Sequence, residues 1–87
     1  MIYKLVPLKD FKKFFKERTQ KERDLIDQKL MILSDDPFSK SLDIKKLKGY
    51  DGRYRLRVGR YRVIYEVFDD ILVIVLADGG SRGGIYK

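Results

Sequence analysis

The sequence predicts an α+β domain in which a helical hairpin packs on one face of a mainly antiparallel, four-stranded sheet. Apolar residues recur at helical spacing in the first third of the chain, and they alternate with polar residues from residue 53 onward. The element order β-α-α-β-β-β then places an N-terminal strand and an antiparallel helical hairpin before a three-stranded antiparallel meander. The length of 87 residues predicts a single domain, residues 1–87.

The N-terminal elements follow from local signals. The apolar run MIYKLVP predicts a first strand that ends at its proline. Leu8, Phe11, Phe14 and Phe15 follow at helical spacing, with lysines on the remaining face. Thr19–Glu22 has the pattern of a capping box, which predicts a second helix beginning near Gln20 and ending at Ser-Asp-Asp-Pro, residues 34–37. The apolar stripe predicted for this helix comprises Leu25, Ile26, Leu30 and Leu33.

The second half of the chain predicts three strands. Residues 38–52 are expected to be irregular but anchored to the core by their apolar side chains. The predicted strands are Arg53–Val58, Tyr61–Phe68 and Ile71–Ala77. Gly59-Arg60 suits the tight turn of a hairpin between the first two, because glycine accepts the backbone conformation of such turns. Asp69-Asp70 is the expected turn into the last strand.

The composition excludes several classes of site. The chain has no cysteine and no histidine, so it can form neither a disulfide nor a thiolate metal site, and it lacks the usual zinc ligand and neutral-pH general base. It has no apolar run approaching the ~20 residues that a membrane span needs. The N-terminal residues lack the features of a signal peptide. We therefore expect a cytoplasmic protein without a metal, a cofactor or a membrane partner.

Positive charge is concentrated in one segment. The net charge is +7, and the window from Lys45 to Arg62 holds eight basic residues and one acid, which is also +7. The basic residues of this window are Lys45, Lys46, Lys48, Arg53, Arg55, Arg57, Arg60 and Arg62. Such a local excess indicates a polyanionic partner, either a nucleic acid or an acidic protein. The alternative is a solvated basic face that only keeps the protein soluble.

A turn at Gly59-Arg60 fixes the register of the hairpin. Alternation then gives an apolar face for the helices, made of Tyr54, Leu56, Val58, Tyr61, Val63, Tyr65, Val67, Leu72, Ile74 and Leu76. The other face carries Arg53, Arg55, Arg57 and Arg62, with Ile64, Phe68, Val73 and Val75 to one side.

Arg57 lies directly opposite Arg62 in this register. Like charges in such a pair destabilise a sheet, whereas convergent guanidinium groups suit phosphate recognition. The alternative is that the long side chains splay apart into water. Ala77 is the predicted partner of Arg62, so that Arg82 emerges at the same end of the sheet. Tyr86 could return over this face or fill the edge of the core.

The segments LKGYDGRYRLRVGRYRVIYEV and VIVLADGGSRGGIYK resemble the RelE/ParE superfamily of toxins from bacterial and archaeal type II toxin–antitoxin modules. The resemblance spans nearly the whole chain and favours the RelE-like branch. It implies a ribosome-dependent, metal-independent endoribonuclease that cuts mRNA, by attack of a ribose 2′-OH on the adjacent phosphate, and so inhibits translation. It also implies a cognate antitoxin with an acidic or amphipathic segment that wraps the toxin.

The resemblance also implies the residues of the site. The catalytic set becomes Arg55, Arg57, Arg62, Arg82 and Tyr86. The surrounding residues expected to bind RNA or phosphate are Lys45, Lys46, Lys48, Arg53 and Ser81. The chain departs from the RelE-like pattern in having arginine where lysines are common, at Arg55 and Arg57, and Ser81 where histidine is common. Glu66 is either a general base or an ion-pair partner of Arg53.

Two other functions remain open at this point. One is a ParE-like inhibitor of DNA gyrase with no nuclease chemistry, which the arginines in place of lysine and the absent histidine favour. The other is a catalytically weak relative that acts mainly as antitoxin partner and corepressor. Ile64, Phe68, Val73 and Val75 would then form an apolar strip for the antitoxin.

Overall fold

The computed structural model describes residues 2–49 and 52–81. Its elements are β1 (Lys4–Pro7), α1 (Lys9–Lys16), α2 (Gln20–Asp35), β2 (Asp43–Lys46), β3 (Arg53–Val58), β4 (Tyr61–Phe68) and β5 (Val73–Ser81). The predicted α+β class and the order of the two helices are confirmed. Arg82 and Tyr86 lie outside the described residues, so the predictions made for them remain predictions.

The strands form one sheet in the order β1-β5-β4-β3-β2. β1 runs parallel to β5, and the other neighbours are antiparallel. The sheet therefore has five strands rather than the predicted four, because β2 lies in the segment 38–52 that was expected to be irregular. β2 is a short edge strand, and only Ile44 of its four residues is not exposed. Short, charged edge strands carry no apolar alternation by which they could be recognised.

The start of α2 matches its sequence signal. The backbone N–H of Glu22 donates to Thr19 Oγ1 at 3.2 Å, and the backbone N–H of Thr19 donates to Glu22 Oε1 at 3.0 Å. This is a complete capping box, and it satisfies two N–H groups that a helix start otherwise leaves unpaired. The predicted first helical residue, Gln20, is confirmed.

The hairpin of β3 and β4 has the predicted register. Arg57 lies opposite Arg62, and Val58 lies opposite Tyr61 on either side of the turn. Gly59 has a φ angle of 60°, which non-glycine residues adopt at a cost. The alternation along both strands therefore separates an apolar face from an arginine-bearing face as predicted.

β5 differs from its prediction in both bounds and register. The turn before it occupies residues 69–72, and Leu72 has a φ of 53° there and is 45% exposed, so it is not a core residue. An irregularity between Ile64 and Tyr65 shifts the pairing further. The partner of Arg62 is therefore Gly80 and not Ala77. The longer turn and the bulge have no signal in the sequence pattern, and together they account for the error.

Both helices pack on the apolar face of the sheet. One buried cluster joins Phe11 and Phe14 of α1 and Ile26 of α2 to the sheet. Its sheet residues are Leu56, Val58, Tyr61, Val63, Tyr65, Ile74 and Leu76. Leu8 and Leu25, both predicted on apolar helix stripes, are 45% and 41% exposed. Neither of the two helices in the described ranges is long and apolar enough to cross a membrane.

Candidate functional site

The sheet face opposite the helices brings the predicted basic residues into two rows. In one row Asp43 of β2 lies beside Arg57 of β3, which lies opposite Arg62 of β4. In the next row Lys45 lies beside Arg55, which lies opposite Ile64. The register therefore brings side chains from three strands together on one surface, which we call the arginine face.

A groove of about 540 Å³ opens on this surface. It is lined by Lys45, Lys46, Leu47, Lys48, Arg55, Arg57 and Arg62. All of these except Leu47 are basic, so the groove has a positive potential that attracts anions. Guanidinium groups on rigid strands suit bidentate binding of a phosphate. The catalytic set predicted from the sequence has five residues. Three of them, Arg55, Arg57 and Arg62, line this groove.

Arg55 and Arg57 differ in their surroundings. Arg55 is only 9% exposed, and its Nη1 donates to Asp43 Oδ1 at 3.3 Å. The opposite residue, Ile64, is 4% exposed. The side chain of Arg57 is 46% exposed, and its Nε lies 4.0 Å from Asp43 Oδ2. One arginine is therefore held within the surface, while the other reaches into solvent.

Asp43 is a site residue that the sequence pattern does not reveal. It contacts two of the three arginines of β3, Arg55 and Arg57, but it lies just outside the basic window that begins at Lys45. Its position beside them depends on β2, which was predicted to be irregular. An acidic residue two positions before a basic run would have been the available signal, had an edge strand been assigned there.

Arg53, Glu66 and Ser81 are not among the residues that line the groove. Arg53 Nε is 3.5 Å from Glu66 Oε1, which confirms the prediction of an ion pair between them. Ser81 ends β5 opposite Tyr61. It lines a separate cleft of about 360 Å³ between α1 and β5. The expected role of Arg53 and Ser81 in binding RNA is thus not supported by a place in the groove.

Arg60, in the hairpin turn, points to the side of the sheet on which the helices pack. Its Nη2 donates to Tyr61 Oη at 3.0 Å, and Tyr61 Oη donates to Glu22 Oε2 at 2.7 Å. The hydrogen bonds that Glu22 accepts from the Thr19 backbone and from Tyr61 lower the pKa of its carboxyl group. These hydrogen bonds connect the hairpin turn to the start of α2. We therefore assign Arg60 a role in the stability of the fold rather than in the groove.

The chemistry that the arginines of the groove offer is electrostatic. Within residues 2–49 and 52–81, no three carboxylates gather where they could hold a metal ion. Arginine is always protonated in proteins, so the guanidinium groups can stabilise negative charge but cannot accept a proton. The arrangement is suited to binding a phosphodiester and stabilising the charge that develops on it.

Residues 7–80 match the family model described as "ParE toxin of type II toxin-antitoxin system, parDE". The candidate toxin RelE1 of Methanocaldococcus jannaschii is 39% identical over 81 residues, which cover 92% of this chain and 86% of that protein. The archaeal RelE–RelB complex from Pyrococcus horikoshii OT3 contains a chain with a TM-score of 0.84 and 29% identity, covering 97% of this chain and 99% of that one. The RelB–RelE antitoxin–toxin complex from Methanococcus jannaschii gives a TM-score of 0.76 and 33% identity, covering 93% and 94%.

Proposed function

The chain belongs to the RelE/ParE superfamily of toxins from type II toxin–antitoxin systems and is RelE-like, and we propose that it cuts mRNA on the ribosome and thereby inhibits translation. The observation that supports this most is the basic groove in which Arg57 lies opposite Arg62. Like charges facing each other across a ladder destabilise a sheet by a few tenths to about 1 kcal/mol. A phosphate between the two guanidinium groups would remove that repulsion.

The proposed reaction needs no metal. The 2′-OH loses its proton to water as its oxygen bonds to the adjacent phosphorus, the bond from phosphorus to the 5′-oxygen breaks, and that oxygen takes a proton from water, so the products carry a 2′,3′-cyclic phosphate and a 5′-OH. Arg57 and Arg62 bind the scissile phosphate and stabilise the charge that develops in the transition state. The family resemblance assigns Arg82 to the same phosphate and Tyr86 to stacking on a base. Alignment of the 2′-OH with the leaving oxygen supplies much of the remaining acceleration.

A cognate antitoxin is the proposed protein partner. The solved RelE chains from Pyrococcus horikoshii and Methanococcus jannaschii are in complexes with RelB. An acidic antitoxin segment would neutralise the arginine face of this protein. Phe68 is 36% exposed, and Val73 and Val75 are half-buried, so these residues offer the apolar strip expected for such a segment. Ile64, at 4% exposure, contributes little surface to it.

The second candidate is inhibition of DNA gyrase without a chemical step. The matched family model describes ParE toxins. Arg55, which stands where the RelE-like pattern often has a lysine, is almost buried against Asp43. It cannot take a proton from a 2′-OH. These two observations favour a protein that binds without cutting.

Mapping RNA 5′ ends in cells minutes after induction distinguishes the two. We expect cuts inside translated codons, and we expect Arg62→Ala or Arg57→Ala to lower cleavage about 10²–10³-fold, the usual effect of removing one such electrostatic group. Arg60→Ala makes the same change in charge on the opposite side of the hairpin and should keep nearly full cleavage. Each variant is checked for folding by circular dichroism.

The outcomes separate the candidate functions. Intact mRNA with double-strand DNA breaks and filamentous cells would establish the gyrase-directed function instead. Intact mRNA and unbroken chromosomes in cells that contain folded protein would leave an antitoxin partner with little activity of its own.

A further inference from the structure

We infer that Asp43 is a positioning residue of the proposed phosphate site: it holds Arg55 fixed in the surface and orients Arg57 toward the groove. This inference rests on the proposed RNA cleavage, and it assigns Arg55 and Arg57 of β3 different tasks. Arg55 is a fixed cation in the wall of the groove, and Arg57 is the side chain that contacts the phosphate.

The geometry of the ladder allows one carboxylate to serve both arginines. Arg55 and Arg57 are two residues apart on β3, so their side chains leave the same face of the sheet. Asp43 is the cross-strand neighbour of Arg57 and the diagonal neighbour of Arg55. Its Oδ1 lies 3.3 Å from Arg55 Nη1, and its Oδ2 lies 4.0 Å from Arg57 Nε. The two oxygens are therefore each directed to a different guanidinium group.

The two ion pairs differ in strength. Arg55 is 9% exposed and lies opposite the buried Ile64, so its charge has little access to water and requires a partner. The Arg57 pair is longer, and both of its side chains are about half exposed, with 46% for Arg57 and 55% for Asp43. Exposed ion pairs of this kind contribute little to stability. Arg57 can therefore turn from Asp43 to a phosphate, whereas Arg55 stays bound.

Asp43 acts from outside the groove. It does not line the 540 Å³ groove, but it lines a neighbouring cleft of about 250 Å³ that shares Arg57 with it. Arg57 thus stands between Asp43 and the proposed phosphate position. A carboxylate placed behind a guanidinium group can orient it without contacting the phosphate.

If Asp43 has a different role, in which it competes with phosphate, the opposite result is predicted. If Asp43 only competed with phosphate for the arginines, its removal would raise both RNA affinity and cleavage. If Asp43 positions them, its removal raises the net charge from +7 to +8 and should leave RNA affinity equal or higher, while cleavage falls. A rise in affinity together with a loss of rate is the signature of the inferred role.

The test compares Asp43→Ala with Asp43→Glu and with Asp70→Ala. Asp70 lies in the turn after β4, at the opposite end of that strand from Arg62, and its removal changes the charge equally. Affinity is measured with a short single-stranded RNA oligonucleotide, and cleavage in single turnover with mRNA on programmed ribosomes. We expect Asp43→Ala to bind at least as tightly as the wild type but to cleave about tenfold more slowly or worse. Asp43→Glu should recover part of the rate, and Asp70→Ala should cleave normally.

Nuclear magnetic resonance of the Arg55 Nη1–H group, which donates to Asp43 Oδ1, tests the positioning without any cleavage. We expect a slowly exchanging signal in the wild type that broadens or vanishes in Asp43→Ala, while circular dichroism shows that the variant is still folded at the temperature of the assay. An unchanged Arg55 signal, undiminished cleavage by Asp43→Ala, or a loss of rate in proportion to a loss of folded protein would each overturn the inference. Failure of the wild type to cut any RNA would refute the proposed function instead, and the Arg55 signal would still decide what Asp43 does.

Discussion

The ring of Phe14 lies against the backbone of Gly79, in the space that a β-carbon would occupy. A β-carbon built on Gly79 would lie 2.6 Å from Cγ and 2.7 Å from Cε2 of Phe14. The ring cannot move away easily, because it is only 6% exposed and also packs edge-on against Tyr61 at 5.6 Å between centroids. Gly79 therefore serves the packing of α1 on β5.

Gly79→Ala should lower the free energy of unfolding by about 1–3 kcal/mol, the usual cost of overpacking a well-filled core. Urea denaturation measures this effect. Phe14→Leu removes part of the ring that the new methyl group would meet, so the double variant should lose less than the sum of the two single variants. Strict additivity would show that the two residues do not compete for the same space.

Gly59 provides the control, because it needs to be glycine for a different reason. Nothing lies within 4 Å of a β-carbon built on it, but its φ angle is 60°. Gly59→Ala should cost about 1–2 kcal/mol through the backbone alone. Asparagine tolerates this conformation better, so Gly59→Asn should cost less than Gly59→Ala. At residue 79 the order should be reversed, because asparagine is the larger side chain.

Glu22 should make the stability of the fold depend on pH in the acid range. Hydrogen bonds from the Thr19 backbone and from Tyr61 lower the pKa of its carboxyl group below the ordinary 4.5. Because this pKa is lower in the folded state, the ionised carboxylate stabilises the fold at every pH above the pKa of the unfolded state. This stabilisation is lost as the pH falls through the pKa of the folded state. Wild type should thus melt at a higher temperature than Glu22→Gln at pH 7, and the difference should shrink as the pH falls below 4.5. Melting curves of both proteins from pH 7 to pH 3 measure it, and a difference independent of pH would contradict this account.

Tyr65 should contribute to stability through its hydroxyl group. Tyr65 is fully buried, and its Oη donates to the carbonyl oxygen of Pro37 at 3.1 Å. Burial also raises its pKa above the ordinary tyrosine value, so the hydroxyl stays protonated and able to donate. Tyr65→Phe should lower the free energy of unfolding by about 1–3 kcal/mol, because the buried carbonyl loses its partner. Tyr54→Phe, on the neighbouring strand, should cost less, and equal losses would rule out this hydrogen bond as the cause.

The predictable part of the fold came from strong, local signals. The capping box at Thr19 located α2, and the turn at Gly59 located the β3–β4 hairpin. Because side chains alternate strictly along paired strands, this one turn was enough to place Arg57 opposite Arg62. The core of the candidate site could therefore be predicted from the sequence of a single hairpin.

The parts that were missed depend on contacts between distant segments. β2 is a strand because β3 offers an edge for it to pair with, and its sequence Asp-Ile-Lys-Lys has no apolar alternation. The register of β5 depends on the length of the turn at 69–72 and on the irregularity beside Tyr65. Asp43 was overlooked for the first of these reasons, and the partner of Arg62 was misplaced for the second.

Arg57 and Arg60, which belong to the same hairpin, should differ in their effect on RNA binding. Arg57 lines the groove, whereas Arg60 contacts Tyr61 on the opposite side. Each phosphate contact with single-stranded nucleic acid contributes about 0.7 to the slope of log affinity against log salt concentration. Arg57→Thr should therefore reduce this slope by about 0.7. The free energy of unfolding of Arg57→Thr should stay close to that of the wild type. The variant loses the exposed ion pair with Asp43, but it also loses the repulsion between Arg57 and Arg62.

Arg60→Thr is the matched control for this measurement, because it removes the same charge two residues from Arg62. Its salt slope should equal that of the wild type, although it loses the hydrogen bond to Tyr61 Oη. Titrations of a fluorescent RNA oligonucleotide between 50 and 200 mM salt, a range of about fourfold, are sufficient to resolve the difference. Equal slopes for the two variants would mean that only the overall charge of the protein attracts RNA. A lower slope for Arg57→Thr alone would mean that RNA lies on the arginine face, because the two residues differ chiefly in the side of the sheet to which they point.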